Sequence, residues 1–302
     1  MARVYIFLAF GLLAASQSGN IIRLGEAHPV AIAAWRLLIA AALLLPLCRG
    51  RIYELKKLKP ADRVLLLLAG IFLATHFFTW IAAVQKTTVA NAAVFFSINP
   101  VLAALGGLVF FKEKVGWRLA AAIGLGVAGV LVIGLDDFSI SQKHLEGDLW
   151  AVACAVLFSG YFLIGRRLRR TTDTGVYVAS VYAVAALVSF ACLLVLRLPI
   201  VGYDGRTWLC FVLMALVPTM IGHTSYNYAL RYLKVGTIAV ATLTEPVFAG
   251  LVAFFAWGEG ITWLVALGYL LICLSVAVLT LPRRTARPSR TGTPASEAGS
   301  PG

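Results

Sequence analysis

The sequence predicts an all-α polytopic membrane protein with ten transmembrane helices, arranged as two inverted five-helix repeats. Hydrophobic residues make up 61% of the 302-residue chain and charged residues only 13%, a balance that excludes an ordinary soluble domain. The apolar residues form runs of about 20, the helix length that crosses the ~30 Å hydrocarbon layer. Long unbroken runs also exclude a transmembrane β-barrel, whose strands alternate polar and apolar residues.

A block of 29 residues occurs twice, at 89–117 and again 146 positions later at 235–263. Apolar matches arise easily in so hydrophobic a chain, but matched proline, glutamate and tryptophan residues at one offset do not. The matched residues of these three types are Pro100 and Pro246, Glu113 and Glu259, and Trp117 and Trp263. An internal duplication of this size predicts two structural repeats.

Ten membrane spans are predicted where short polar segments separate the apolar runs. They lie at 4–22, 29–47, 64–84, 89–111, 117–135, 147–165, 176–196, 208–230, 236–257 and 263–281. The first five-helix repeat is predicted at 1–135, an outer linker at 136–146 and the second five-helix repeat at 147–281. Residues 282–302 are rich in Pro, Ser, Thr and Gly, which predicts a disordered cytoplasmic tail.

The number of spans in each repeat determines how the repeats are related. Because five is odd, the second repeat starts from the opposite side of the membrane, an inverted duplication that recurs in secondary transporters. Twenty lysines and arginines fall in segments on one side and five on the other. This bias predicts cytoplasmic termini in a multi-pass protein of the bacterial inner (plasma) membrane. The net charge of +13 follows from this topology, so no nucleic-acid partner is predicted.

Three stretches of the sequence resemble a known family. They read HPVAIAAWRLLIAAALLLP at 28–46, INPVLAALGGLVFFKEKVGW at 98–117 and TEPVFAGLVAFFAWGEGITW at 244–263. They are similar to the EamA-type ten-helix transporters of the drug/metabolite transporter superfamily. The resemblance implies two inverted five-helix units around a central cavity. It also implies the export of small metabolites such as amino acids and their derivatives, although other branches move sugars or nucleotide sugars.

No enzyme, metal or cofactor site is predicted. Gly124, Gly126 and Gly129 match a dinucleotide-binding fingerprint, but they lie within a span, where small residues indicate close helix packing. The four histidines and five cysteines have no metal-ligand spacing. The chain also has no nucleotide-binding loop, so the energy for transport would come from a gradient or from the substrate.

Charged residues at membrane depth cost roughly 2.5–3.5 kcal/mol at a helix centre, so they indicate either a function or a structural partner. Arg36 either anchors an anionic group, such as a substrate carboxylate, or is a structural or snorkelling charge. Its repeat equivalent is Tyr182, so the fold does not require the charge. Glu245 and its equivalent, Asn99, each precede a proline, which indicates either a broken helix facing a cavity or a packing kink. An unpaired carboxylate must pair, protonate or face water, which favours a place for Glu245 on the transport path or in proton coupling.

His76 and His223 occur at equivalent depths in spans three and eight. They either relay protons near neutral pH or form interhelical hydrogen bonds. Other polar and aromatic residues complete the predicted lining. The full set of predicted substrate-binding residues is Gln17, Asn20, Arg36, His76, Trp80, Asn91, Phe95, Asn99, Ser159, Tyr161, His223, Tyr226, Asn227, Thr242 and Glu245.

The predicted function is secondary active export of a small polar metabolite by alternating access, with proton coupling through Glu245 as a hypothesis. The expected partners are a small-molecule substrate, the lipid bilayer and protons as coupling ion, and the sequence leaves a homodimer open. A sugar or nucleotide-sugar importer or exchanger on the same fold is an alternative. A polytopic membrane enzyme is less favoured because no acid, base or metal cluster is visible. A structural or sensory membrane protein is a third alternative, disfavoured by the intramembrane charges and the inverted duplication.

Overall fold

The computed structural model describes residues 1–87, 89–135, 145–258 and 260–280. Within these residues ten helices are long and apolar enough to cross a membrane, in agreement with the ten predicted spans. In chain order they are α1 (Ala2–Ile22), α2 (Pro29–Lys57), α3 (Pro60–Lys86), α4 (Asn91–Phe111), α5 (Trp117–Gly134), α6 (Leu145–Leu168), α7 (Thr174–Val195), α8 (Gly205–Leu230), α9 (Val235–Ala256) and α10 (Trp263–Thr280). This part of the chain contains no β-strand.

Three predicted features fall outside the described residues. They are the outer linker at 136–146, except for its last two positions, the tail at 282–302, and Glu259.

Helices α1, α4 and α9 are each interrupted. Their segments are Ala2–Ser16 and Ser18–Ile22 in α1, Val89–Phe96 and Asn99–Phe111 in α4, and Val235–Thr242 and Glu245–Trp257 in α9, so the helical segments of α4 and α9 extend slightly beyond the apolar spans given above. Pro100 and Pro246 lie in the first turn of the second segments. Proline suits that position because its fixed φ is helical and its missing N–H needs no partner there. Of the two interpretations of these prolines, the structure shows broken helices, and Pro246 alone of the two lines the cavity described below.

Two other helices change their winding. The α-helical part of α2, Pro29–Cys48, continues as a 3₁₀ helix over Arg49–Lys57. Helix α8 contains a π-helical stretch, Ala215–His223, with Pro218 inside it. Proline removes one backbone donor, and π-helical turns occur frequently at functional sites. This stretch was not predicted from the sequence, and the equivalent helix α3 is a continuous α-helix.

Contacts between helices follow the symmetry expected of an inverted duplication. The pairs α5–α10 and α2–α7, each made of equivalent helices, pack extensively. The contact of α6 with α3 and α4 is matched by that of α1 with α8 and α9. Exchanging the two repeats therefore exchanges one set of contacts for the other, and the fold is two inverted five-helix repeats.

The first helix of each repeat packs against the other repeat. This arrangement produces two structural groups, the α3–α4–α6 group and the α8–α9–α1 group. Ion pairs join α3 and α6 near both of their ends, between Lys86 and Glu146 and between Arg167 and Asp62. These groups, rather than the sequence repeats, are the units that pack as blocks.

Small residues bring α5 and α10 close together. A Cβ atom added to Gly129 would lie 2.8 Å from the carbonyl oxygen of Gly268, and one on Gly268 would lie 2.6 Å from that of Gly129. Ser275 donates a hydrogen bond of 2.7 Å to the carbonyl oxygen of Ala122. Gly126 faces the same contact, whereas Gly124 is exposed and a Cβ atom added to it would meet nothing within 4 Å. The packing interpretation therefore holds for two of the three fingerprint glycines.

Candidate functional site: a central cavity

A cavity lies between the two groups and contains about 920 Å³ of space, its open mouth included. Residues from α1 to α6, α8 and α9 line it, most of them apolar. The interrupted parts of the helices contribute directly, with Ser18 and Gly19 from α1, Pro218 from α8 and Pro246 from α9. Broken helices at such a place present backbone polar groups to a ligand.

Arg36 is the cation of this cavity and is only 1% exposed. Its Nε donates a 2.8 Å hydrogen bond to the Thr219 hydroxyl, and its Cζ lies 3.7 Å from the ring centroid of Phe77. Its Nη2 has no hydrogen-bond partner within the described residues, and none of their ion pairs includes Arg36. A buried cation without a counter-ion is expensive, so the site favours an anionic ligand group.

Thr219, on the π-helical stretch, connects Arg36 to its repeat equivalent. Its hydroxyl donates to the Met214 carbonyl oxygen at 2.8 Å, which leaves a lone pair for Arg36. Its own carbonyl oxygen accepts a 3.0 Å hydrogen bond from the Tyr182 hydroxyl. The irregular turn of α8 is therefore bonded from both repeats and orients the guanidinium.

Glu245 is the carboxylate of the cavity. It begins the second segment of α9, where the partial positive charge of a helix N-terminus stabilises an anion. Its Oε1 accepts a 2.8 Å hydrogen bond from the Tyr226 hydroxyl, and both residues line the cavity. Oppositely charged groups from the two repeats thus face the same space.

The histidines and several aromatic rings form much of the remaining wall. His76 stacks on Phe158 with ring centroids 4.4 Å apart, and its Nδ1 lies 3.1 Å from the Cys154 sulfur. His223 packs edge-on against Phe77 at 4.9 Å, and its Nδ1 has no hydrogen-bond partner within the described residues. The two imidazole centroids are 6.0 Å apart. This wall offers aromatic surface to an apolar ligand group.

Seven of the predicted substrate-binding residues line the cavity. They are Arg36, His76, Trp80, His223, Tyr226, Thr242 and Glu245. The structure places the other eight outside the lining. They are Gln17, Asn20, Asn91, Phe95, Asn99, Ser159, Tyr161 and Asn227.

Most of the residues outside the lining bond to other helices. Ser159 donates to the Asn99 side-chain oxygen at 2.7 Å, which ties α6 to α4. Asn227 donates to the Tyr161 hydroxyl and so ties α8 to α6.

Two further pairs lie nearer the helix ends. Asn20 donates to Gln17 Oε1 at 3.0 Å and to the Ala249 carbonyl oxygen at 3.1 Å. Asn91 donates to buried Asp148 at 3.3 Å. Hydrogen bonds of this kind between helices hold them together in lipid.

Several lining residues were missed by the sequence analysis. Phe77, Phe96 and Phe158 form aromatic walls, yet phenylalanine within an apolar span carries no signal of which way it faces. Pro218 was visible as an intramembrane proline, but it has no counterpart in the first repeat to draw attention to it.

The model of a known family, the EamA-like transporter family, matches the chain twice, over residues 3–135 and 145–281. The chain belongs to the EamA-like transporter family. Its relatives include an uncharacterized transporter from Archaeoglobus fulgidus, 25% identical over 92% of this chain and 98% of the relative. They also include the aromatic amino acid exporter YddG from Ancylobacter novellus, 27% identical over 72% of this chain and 75% of the relative.

A solved crystal structure shows the same fold, with a TM-score of 0.79 at 22% identity over 93% of this chain and 97% of that chain. Family membership and ten apolar helices make this EamA-like protein a multi-pass membrane transporter rather than an enzyme.

Proposed function

We propose that this EamA-like transporter exports amino acids or their derivatives by alternating access. The observation that carries the proposal is that one cavity is lined by both Arg36, which has no ionic partner among the described residues, and the carboxylate of Glu245. A zwitterion satisfies both groups at once, since its carboxylate pairs with the guanidinium and its ammonium with the glutamate. The positive-inside bias supports a bacterial inner membrane with both termini in the cytoplasm.

The aromatic surface suggests which side chains the substrate carries. Phe77, Trp80, Phe96 and Phe158 line the same space as the two charges. An apolar or aromatic substrate side chain would bury its surface against these rings. The printed name of the Ancylobacter novellus relative, an aromatic amino acid exporter, supports this choice.

Glu245 is also the proposed site of proton coupling. Its hydrogen-bonding neighbour among the described residues is Tyr226, and most of the cavity lining is apolar. An anionic glutamate binds the substrate ammonium, and protonation releases it, so one group would exchange a proton for the substrate.

Counterflow in proteoliposomes tests the assignment of Arg36. Labelled phenylalanine or leucine should exchange, whereas the corresponding decarboxylated amines should not. Arg36→Gln should raise the KM for the amino acid at least tenfold, because a charged hydrogen-bonded contact is worth about 1.5–3 kcal/mol and 1.4 kcal/mol is tenfold. Arg206→Gln, which changes an exposed arginine at the start of α8, is the matched control and should leave the KM unchanged.

Two results would contradict the proposal. One is equal transport of the amines and the amino acids. The other is counterflow of sugars or nucleotide sugars in place of amino acids, which would favour the sugar-transporting branch of the fold.

A further inference from the structure

A partly buried ion pair lies beyond one end of the cavity. Glu113, just after α4, and Arg166, on α6, meet at 3.0 Å between Oε1 and Nε. Their side chains are only 11% and 14% exposed, unlike the exposed pairs elsewhere in the described residues. Arg166 follows the cavity residue Phe158 by eight positions, which is about 12 Å along a helix. The pair therefore sits nearer the membrane surface than the cavity does.

Both residues of this pair form hydrogen bonds with backbone atoms of the other structural group. Arg166 Nη1 donates to the Leu230 carbonyl oxygen at 2.7 Å and to that of Arg231 at 3.2 Å. The Val235 N–H donates to Glu113 Oε2 at 3.2 Å. Both Glu113 and Arg166 belong to the α3–α4–α6 group, whereas residues 230–235 connect α8 to α9. This ion pair therefore joins its own group to the α8–α9 connection of the opposite group.

We infer that Glu113 and Arg166 form a clamp that closes the transport path at the end of the 230–235 connection. When the clamp holds, the two groups are joined at this end and the cavity communicates with the opposite side. When it releases, the groups separate here and the cavity opens to this side. The inference rests on the proposed alternating access and adds the contacts that keep one of its two states closed.

Accessibility of the cavity from each side tests the clamp. Ser18 lines the cavity, so S18C places a reporter thiol there. A membrane-impermeant maleimide is applied to right-side-out and inverted vesicles, with the parental protein measuring any reaction of the native cysteines. The reporter should label mainly from the side of the α1–α2 connection. Glu113→Gln should raise labelling from the 230–235 side at least tenfold.

Two further variants separate a clamp between groups from a structural ion pair within one. Arg167→Gln removes the neighbouring arginine, whose partner Asp62 lies in the same group, and should leave labelling within twofold. The reversed double variant Glu113→Arg/Arg166→Glu restores the ion pair. It supplies no acceptor for the Val235 N–H and no donor for the Leu230 carbonyl. It should therefore recover thermal stability while labelling remains raised.

The outcomes decide between the alternatives. Normal labelling in a folded, monodisperse Glu113→Gln protein would overturn the clamp. So would a reversed variant in which stability and normal labelling return together, because the pair would then act only within its group. The assay needs no substrate, so absence of amino-acid counterflow would refute the proposed function and leave the labelling result standing.

Discussion

The two repeats share one fold but divide the ionic chemistry between them. The first provides a cation to the cavity where the second has a phenol, and the second provides a carboxylate where the first has an amide. The equivalent pairs are Arg36 with Tyr182 and Asn99 with Glu245. The packing of an inverted repeat therefore requires neither charge. Charges that the fold does not require are the ones to assign to the ligand.

The equivalent residues also differ in what they contact. Glu245 faces the cavity and bonds Tyr226, whereas Asn99 is buried against Ser159 outside the cavity lining. Arg36 faces the cavity, while Tyr182 is buried behind it and braces Thr219. In each pair one residue contacts the cavity and the other supports the helices around it. Substitutions that make the two repeats alike test this division of roles.

The largest effect is expected from giving the second repeat the residue of the first. Glu245→Asn removes the carboxylate that we propose as the partner of the substrate ammonium. A charged hydrogen bond in a dry site is worth about 1.5–3 kcal/mol, so counterflow of amino acids should fall by at least tenfold. With Glu245→Gln, uphill transport should also lose its dependence on a pH gradient. Unchanged flux and pH dependence in proteoliposomes would refute proton coupling through Glu245.

Asn99→Ala provides the matched control in the other repeat. It removes the acceptor of the Ser159 hydrogen bond, so it should lower thermal stability. Because Asn99 lies outside the cavity lining, the KM for the substrate should stay within about twofold.

A smaller effect is expected where the repeats meet, at Thr219. Thr219→Val keeps the side-chain shape but removes the hydroxyl that accepts from Arg36 Nε. The guanidinium would lose one restraint and keep its charge, which predicts a rise in KM of about fivefold for roughly 1 kcal/mol. Thr219→Ser retains the hydroxyl and should restore the KM. Equal effects of valine and serine in the counterflow assay would show that Thr219 does not position Arg36.

The sequence was sufficient for the architecture because lipid leaves few alternatives. Apolar runs of helical length must become spans, and two copies of five must be inverted. Intramembrane charges were equally informative, because the free-energy cost of a charged side chain within a span indicates a function or a structural partner. Arg36 and Glu245 were accordingly found without a structure, and both line the cavity.

The sequence was poorer at separating cavity residues from residues between helices. Asn227 and His223 lie four positions apart on one helix, yet only the histidine lines the cavity. The amide instead bonds Tyr161 on a neighbouring helix. Which polar side chain meets a neighbour depends on helix rotation and on the π-helical stretch of α8, and neither is encoded in local spacing. The exchange of α1 and α6 between repeats was also invisible, because it depends on contacts far apart in the chain.

The smallest effect on transport is expected at α5 and α10, a helix pair that contributes only the apolar Val130 to the described cavity lining. Gly129→Ala would place a methyl group 2.8 Å from the Gly268 carbonyl oxygen and 2.7 Å from Ile272. Overpacking of this kind typically costs about 1–3 kcal/mol, so thermal unfolding in detergent should begin at a lower temperature. Gly124→Ala is the same substitution on an exposed face of the same helix and should be neutral or stabilising. If the two variants lose equal stability, helix flexibility rather than close approach explains these glycines. If the Gly129→Ala protein remains folded but shows no counterflow, the α5–α10 contact changes during transport and is not a static helix contact.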